Sequence, residues 1–144
     1  GIRVSELKFI TVAAARKGEA DVRLKGKSRT ILLPDKLRRK LAAYIRERGL
    51  TSGPVFCTRT GRALDRSNIW KLLKSLCAEA RVEPSKVFPH NLRHLFARCF
   101  YALHHDLAKL ADILGHSSVN TTRIYIISTG EEHKKLLNRL RLVL

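Results

Sequence analysis

The chain has 144 residues, with 29 Lys+Arg against 12 Asp+Glu, a formal net charge of +17. A length of this order suits one domain with a real core, and 44% hydrophobic with 28% charged residues argues against a disordered basic tail. No apolar run approaches the roughly 18 residues of a membrane span, and no signal-peptide pattern opens the sequence, which argues against membrane insertion and secretion. The basic residues recur from Arg3 to Arg141, a distribution expected of a folded surface wrapped around nucleic acid rather than of a lipid anchor. The sequence has no methionine and starts at Gly1, so it reads as a piece of a longer protein. Cys57, Cys77 and Cys99 are isolated and odd in number, and read as small buried apolar residues in a reducing compartment.

Three strands are expected first, at Ile10–Val12, Ala20–Leu24 and Thr30–Leu33. Turn residues at Lys17-Gly18 and across Lys25-Gly26-Lys27-Ser28 separate them into a small antiparallel meander. Everything after Pro34 has helical periodicity. Asp35 is placed to cap a helix with Leu37, Leu41, Tyr44 and Ile45 on one face and Gly49 as its stop. A Gly/Pro loop carries Val55-Phe56 and the Thr60-Gly61 turn, and Asp65 opens a helix with Ile69, Leu72, Leu73, Leu76 and Ala80 as a core stripe. Pro89 starts the next helix, which puts Leu92, Leu95, Phe96, Cys99, Phe100 and Leu103 at core spacing. A short helix over Asp106–Leu114 closes at Gly115, another covers Val119–Ile126, and Thr129 with Glu132 has capping-box spacing for a last helix bearing Leu136, Leu137, Leu140, Val143 and Leu144. The fold class is α+β, mainly α, with one small three-stranded antiparallel sheet near the N-terminus.

Two regions carry candidate chemistry. In His90-Asn91-Leu92-Arg93-His94, the imidazole of His90 and the guanidinium of Arg93 lie about 60° apart on the first turn of a helix, where an anion is favoured. His90 and His94 have the spacing of a helical zinc pair, but Asn91 stands where a metalloprotease glutamate would follow His90, so neither metal nor cofactor is expected. The second region runs from Leu107 to Tyr125. It reads as a helix-turn-helix that could enter a major groove, giving a non-catalytic DNA-binding regulator as an alternative. Its Leu-Gly-His116, Thr121-Thr122 and Tyr125 nine residues after the histidine form a more particular pattern.

These motifs resemble those of the tyrosine recombinases, the phage-integrase family. Gly1-Ile2-Arg3-Val4-Ser5-Glu6-Leu7 is similar to the family's Gly-Leu-Arg-x-Ser-Glu-Leu box, His90–His94 to its His-x-Leu-Arg-His box, and Leu114 through His116 and Thr122 to Tyr125 to the box holding the nucleophile. The order and spacing of the three boxes carry the resemblance, which runs from Gly1 to about Ile126. It departs from the pattern at Ile126-Ile127, where many members have a histidine nearby, and in starting at the first box itself.

The resemblance implies a catalytic domain over residues 1–144, without the N-terminal core-binding domain that would complete a DNA clamp. It assigns Arg3 and Arg93 as phosphate-binding arginines, His90 as a base, His116 as a hydrogen-bond donor to the scissile phosphate and Tyr125 as the nucleophile. A lysine in the strand turn, Lys25 or alternatively Lys27, would protonate the leaving 5′-oxygen. A free phenol with a pKa near 10 is only about 0.1% ionised at pH 7, so such chemistry needs a base or a strongly cationic site. Charged arginines and a lysine supply that field without metal or ATP. The product would be a 3′-phosphotyrosyl link, which serves recombination or integration when strands are exchanged. Relaxation of the type IB topoisomerase kind would use the same chemistry. The implied partners are double-stranded DNA and further copies of the protein, a tetramer on synapsed DNA, in the cytoplasm of a prokaryote or a phage-infected cell. The helix over 131–144 would either fold back on its own domain or dock on a neighbouring protomer.

Overall fold

The computed structural model describes residues 1–24 and 26–125; Lys25, the side chain of Lys27 and residues 126–144 lie outside the description. The expected last helix, with Thr129, Glu132 and its leucines, therefore lies outside the described residues. The chain divides into two compact units, Gly1–Arg93 and His94–Leu144.

The first unit opens with a 3-10 helix, Val4–Phe9, followed by α1, Val12–Lys17. The strand expected at Ile10–Val12 is not formed. Thr11 caps α1, its Oγ1 accepting the Ala14 N–H at 3.1 Å, and the run Ala13-Ala14-Ala15 favours helix over strand. Gly18, at φ +92°, ends the helix in the left-handed conformation that a glycine adopts at little cost. The sheet consequently has two strands rather than three: β1, Glu19–Leu24, pairs antiparallel with β2, Lys27–Leu32, in the register Val22 opposite Arg29 and Leu24 opposite Lys27. Side chains alternate across the sheet: Ile31 and Leu33 are buried while Leu32 between them is exposed.

Helix α2, Asp35–Glu47, begins with Pro34 in the cap position. Asp35 is thus its first helical residue rather than its cap, and its carboxylate accepts a bond from Arg38 one turn on. Leu41 and Ile45 face the core, but Leu37 is exposed. With Ile10, Val12, Val22, Ile31, Leu33 and Val55 they form the core of this unit. Val55 arrives by a bridge of the 54–55 loop to the chain around Thr11, its N–H bonding to the Ile10 carbonyl. Helix α3, Arg66–Ala80, has the expected cap: Asp65 and Asn68 exchange backbone–side-chain bonds at 2.7 and 3.2 Å. Its expected core stripe is not sealed. Ile69 and Leu73 are half-buried, Leu72, Leu76 and Ala80 are exposed, and Cys77 is the buried residue of the helix.

Helix α4, Pro89–His104, begins in the first unit and continues into the second, followed by α5, Leu107–Leu114, and α6, Val119–Arg123. The inward positions of α4 are Arg93 and Ala97, with Phe96, Phe100 and Tyr101 half-buried. Leu92, Leu95, Cys99 and Leu103, expected in the core, are exposed. A stripe of leucines marks an amphipathic helix but does not say which edge another element covers. Cys57 is half-buried and Cys99 exposed, so of the three thiols expected inside only Cys77 is buried; all three are free.

In the second unit Asp106 caps α5 through the Lys109 N–H, and Gly115 ends it at φ +66°. The His116 N–H returns to the Ala111 carbonyl, which closes the turn. Leu110 and Leu114, with no exposure, pack with Ala97 and Tyr125 as the core here. Burying each such leucine contributes on the order of 2 kcal/mol. No described helix is long and apolar enough to cross a membrane.

Candidate active site

Arg3 stands at the cap of the first 3-10 helix, and Glu6, one turn later, is 1% exposed. The Arg3 backbone N–H donates to Glu6 Oε2 at 2.7 Å, and its Nη1 donates to Oε1 at 3.0 Å. A second guanidinium reaches the same carboxylate from β2: Arg29 donates from Nη2 to Oε2 at 2.6 Å and from Nε to Oε1 at 3.3 Å. A carboxylate this buried, left with one half-exposed partner, would be costly to ionise. Burial pushes the Glu6 carboxyl up, but the bonds from Arg29 and from Arg3 outweigh it and hold the group below its ordinary 4.5. Glu6 is therefore an anion at neutral pH, bracketed by two arginines.

Arg93, on the second turn of α4, is buried to 5% exposure, and its Nη1 donates to the Gly1 carbonyl at 2.6 Å. That bond ties the helix bearing Arg93 to the segment bearing Arg3. Both arginines line one cavity of about 240 Å³ walled by apolar groups of Ile2, Leu7, Ile69 and Leu92, and none of its described lining residues is acidic. Two permanent cations on an apolar-walled cavity make a place for an anion with oxygens to spare, such as a phosphodiester. His90 is exposed on the first turn of the same helix. Lys25 lies outside the described residues, as does the side chain of Lys27, whose backbone begins β2.

In the second unit Tyr125 follows α6, which ends at Arg123 and not at Ile126 as expected; Ile126 itself lies outside the described residues. The tyrosine N–H bonds to the Thr122 carbonyl at 3.1 Å, and the residue is 7% exposed. The His94 ring meets it edge-on at 4.3 Å between centroids, and the His116 ring stacks on it at 5.8 Å. His116 Nδ1 shares a hydrogen bond of 2.8 Å with Thr122 Oγ1, and Thr122 has no exposure at all. With the threonine hydroxyl donating, a neutral ring carries its proton at Nε2, on the side away from Thr122.

Of the residues expected from sequence, Arg3 and Arg93 come together on one cavity, and His116 and Tyr125 are in contact in the other unit. Four supporting residues have no role that the motif resemblance implies. Glu6 stands three residues after Arg3, the spacing at which a side chain reaches back to its own helix cap. Arg29 shares the inward side of β2 with Ile31, an arginine where alternation calls for an apolar residue. Thr122 is the inward member of Thr121-Thr122. His94, which closes the helical His-x-x-Arg-His run, is half-buried against the tyrosine.

The model of the phage integrase family matches residues 1–132. Among curated relatives, tyrosine recombinase XerD of Xanthomonas axonopodis pv. citri is 33% identical over 153 residues, covering 94% of this chain and 50% of the relative. Tyrosine recombinase XerA of Pyrococcus furiosus is 33% identical over 150 residues, covering 99% of this chain and 51% of the relative. The chain thus spans about half the length of these relatives. A crystal structure of XerA recombinase superposes with a TM-score of 0.79 at 26% identity, over 99% of this chain and 53% of that one. One of XerH site-specific recombinase bound to its difH substrate, a pre-cleavage complex, gives 0.74 at 29% identity, over 92% and 41%. These relatives share this chain's mainly helical architecture with a small antiparallel sheet, and by the family match over most of its length the chain belongs to the phage integrase family.

Proposed function

We propose that the protein carrying this chain is a site-specific DNA recombinase that cleaves and rejoins strands through a covalent link between Tyr125 and the 3′-phosphate. The observation that carries this reading is the pair Arg3 and Arg93, brought from distant parts of the sequence to one apolar-walled cavity with no acidic residue among its described lining. The names of the relatives and the recombinase–DNA complex among the structural neighbours support it.

The chemistry follows from the residue types. The two guanidiniums bind the non-bridging oxygens of the scissile phosphate and stabilise the charge that builds there in the transition state. Glu6 and the Gly1 carbonyl hold them in place. The Tyr125 oxygen attacks phosphorus in line with the leaving 5′-oxygen as His90 accepts the phenolic proton. Lys25, or Lys27 in its stead, returns a proton to the 5′-oxygen, and His116 donates from Nε2 to the phosphate. One phosphoester bond breaks as one forms, so the link keeps the bond energy, and a 5′-hydroxyl from the same or another strand reverses the step without ATP.

Exchange between two duplexes needs copies of the protein on both, so its partners are double-stranded DNA and itself, a tetramer on synapsed sites, among the DNA of a prokaryotic or phage-infected cytoplasm. The helix-turn-helix reading is less well supported, because α6 has five residues, short for a groove-reading helix, and Thr122 points inward to His116. Relaxation of the type IB topoisomerase kind would use the same step, but the relatives are named as recombinases.

The test is covalent capture in EDTA. Nicked duplexes with randomised cores are incubated with wild-type protein and with Tyr125→Phe, and denaturant-resistant protein–DNA adducts are collected and sequenced. Wild type is expected to enrich a defined site and Tyr125→Phe to form no adduct. DNA binding by wild type without any adduct would refute the reading in favour of a regulator.

A further inference from the structure

We propose that Arg29 is a positioning residue for the first phosphate-binding arginine: through Glu6 it sets the geometry of Arg3 and leaves Arg3 its positive charge. The inference rests on the recombinase reading above and concerns a residue outside the three sequence boxes.

The argument starts from charge. Arg3 and Glu6 alone would form an i,i+3 ion pair of zero net charge, and an arginine neutralised by its own helix is a poor ligand for a phosphate. Arg29 makes the cluster two cations on one carboxylate, with a net charge of +1. The geometry points the same way. Both oxygens of Glu6 accept from both arginines, so the carboxylate cannot turn about its last bond without breaking bonds on each side. The Arg29 side chain is 16% exposed and that of Arg3 42%, so the inner arginine anchors and the outer one faces the surroundings.

Arg29 is itself held by the sheet. It lies on β2 opposite Val22, on the inward side with Ile31, two residues beyond Lys27. Exchange for lysine would keep the charge but lose the fork that meets both oxygens at once. The hairpin that presents the proposed lysine is thereby joined through one carboxylate to the box that presents Arg3. A displaced catalytic group costs rate far more than it costs binding, because affinity for a duplex is spread over many phosphates.

The experiment measures single-turnover adduct formation at saturating DNA, on a site captured by the wild-type protein. Two versions of that site are used, one with a normal scissile phosphate and one with a neutral methylphosphonate in its place. On the phosphate, Arg29→Gln is expected to lower the rate about 10- to 100-fold while DNA affinity changes by less than about 3-fold. Arg29→Lys should recover part of the rate. On the methylphosphonate, which lacks the charge that Arg3 neutralises, the loss in Arg29→Gln should shrink to about 3-fold or less. Equal losses on both substrates, or a drop confined to the amount of active protein with an unchanged rate constant, would assign Arg29 a structural role and overturn the proposal. Should Arg29→Gln fail to fold, the same two-substrate comparison on Arg29→Lys decides, since equal losses there overturn the proposal as well. Absence of any adduct with wild type would overturn the recombinase reading together with the proposal, an outcome distinct from equal losses.

Discussion

Thr122 offers a sharp test of how His116 is held. Its hydroxyl, wholly buried, shares a 2.8 Å bond with His116 Nδ1, and two substitutions divide its functions. Thr122→Val keeps the shape and removes the bond, leaving the imidazole nitrogen without the threonine hydroxyl; a lost bond of this kind costs about 1–2 kcal/mol. Thr122→Ser keeps the bond and removes one methyl group, a loss of about 1 kcal/mol in burial. The two variants should therefore melt within a few degrees of each other, both below wild type. Their effects on chemistry should differ. In Thr122→Val the hydroxyl no longer favours the tautomer that carries the Nε2 proton, and adduct formation should slow about 10-fold, which corresponds to about 1.4 kcal/mol. In Thr122→Ser it should stay within about 2-fold of wild type. Thermal unfolding gives the first comparison, single-turnover adduct formation the second, and the ¹⁵N shifts of the His116 ring report the tautomer directly. A wild-type adduct rate in Thr122→Val, or an equal loss in both variants, would refute the role given to this bond.

Two further outcomes concern stability. The Glu6 carboxyl is held below its ordinary 4.5. A depressed folded-state value stabilises the fold above the unfolded value, and that contribution is lost as pH falls through the folded one. Wild type should thus be more stable than Glu6→Gln at pH 7, and the gap should close as pH drops below about 4.5, followed by circular dichroism in urea at each pH. At Gly18, φ is +92° and an added Cβ would meet the Arg38 side chain at 3.0 Å, so Gly18→Ala combines backbone strain with displacement of the guanidinium that caps the Arg16 carbonyl. We expect a loss of about 1–3 kcal/mol, measured as a fall in urea midpoint at unchanged slope.

Much of the molecule is legible locally. Asp65 with Asn68, Asp106 and Gly115 mark helix boundaries because a cap is decided by a few consecutive residues. The candidate site residues are legible for a different reason: Arg3, His90, Arg93, His116 and Tyr125 fall in compact boxes whose order is readable without coordinates. Errors arose where two local preferences competed. Ile10–Val12 has β-branched residues suited to a strand, yet Thr11 and the alanines behind it make a capped helix once Val55 pairs with the chain there. Leucines of α3 and α4 at core spacing are exposed, because spacing identifies a face without identifying what lies against it.

By itself the sequence determined that this is a basic, mainly helical chain with a small antiparallel sheet and the spaced motifs of one family, because composition, caps and motif spacing are properties of neighbouring residues. Only the tertiary structure decided that Arg93 reaches back to Gly1, that Arg29 and Arg3 share the buried carboxylate of Glu6, and that Thr122 and His94 close around the tyrosine region. Those are contacts between segments far apart in sequence or on different turns. A buried charge or hydroxyl accepts whichever partner the packing of the rest of the chain brings within 3 Å, and no local pattern encodes that.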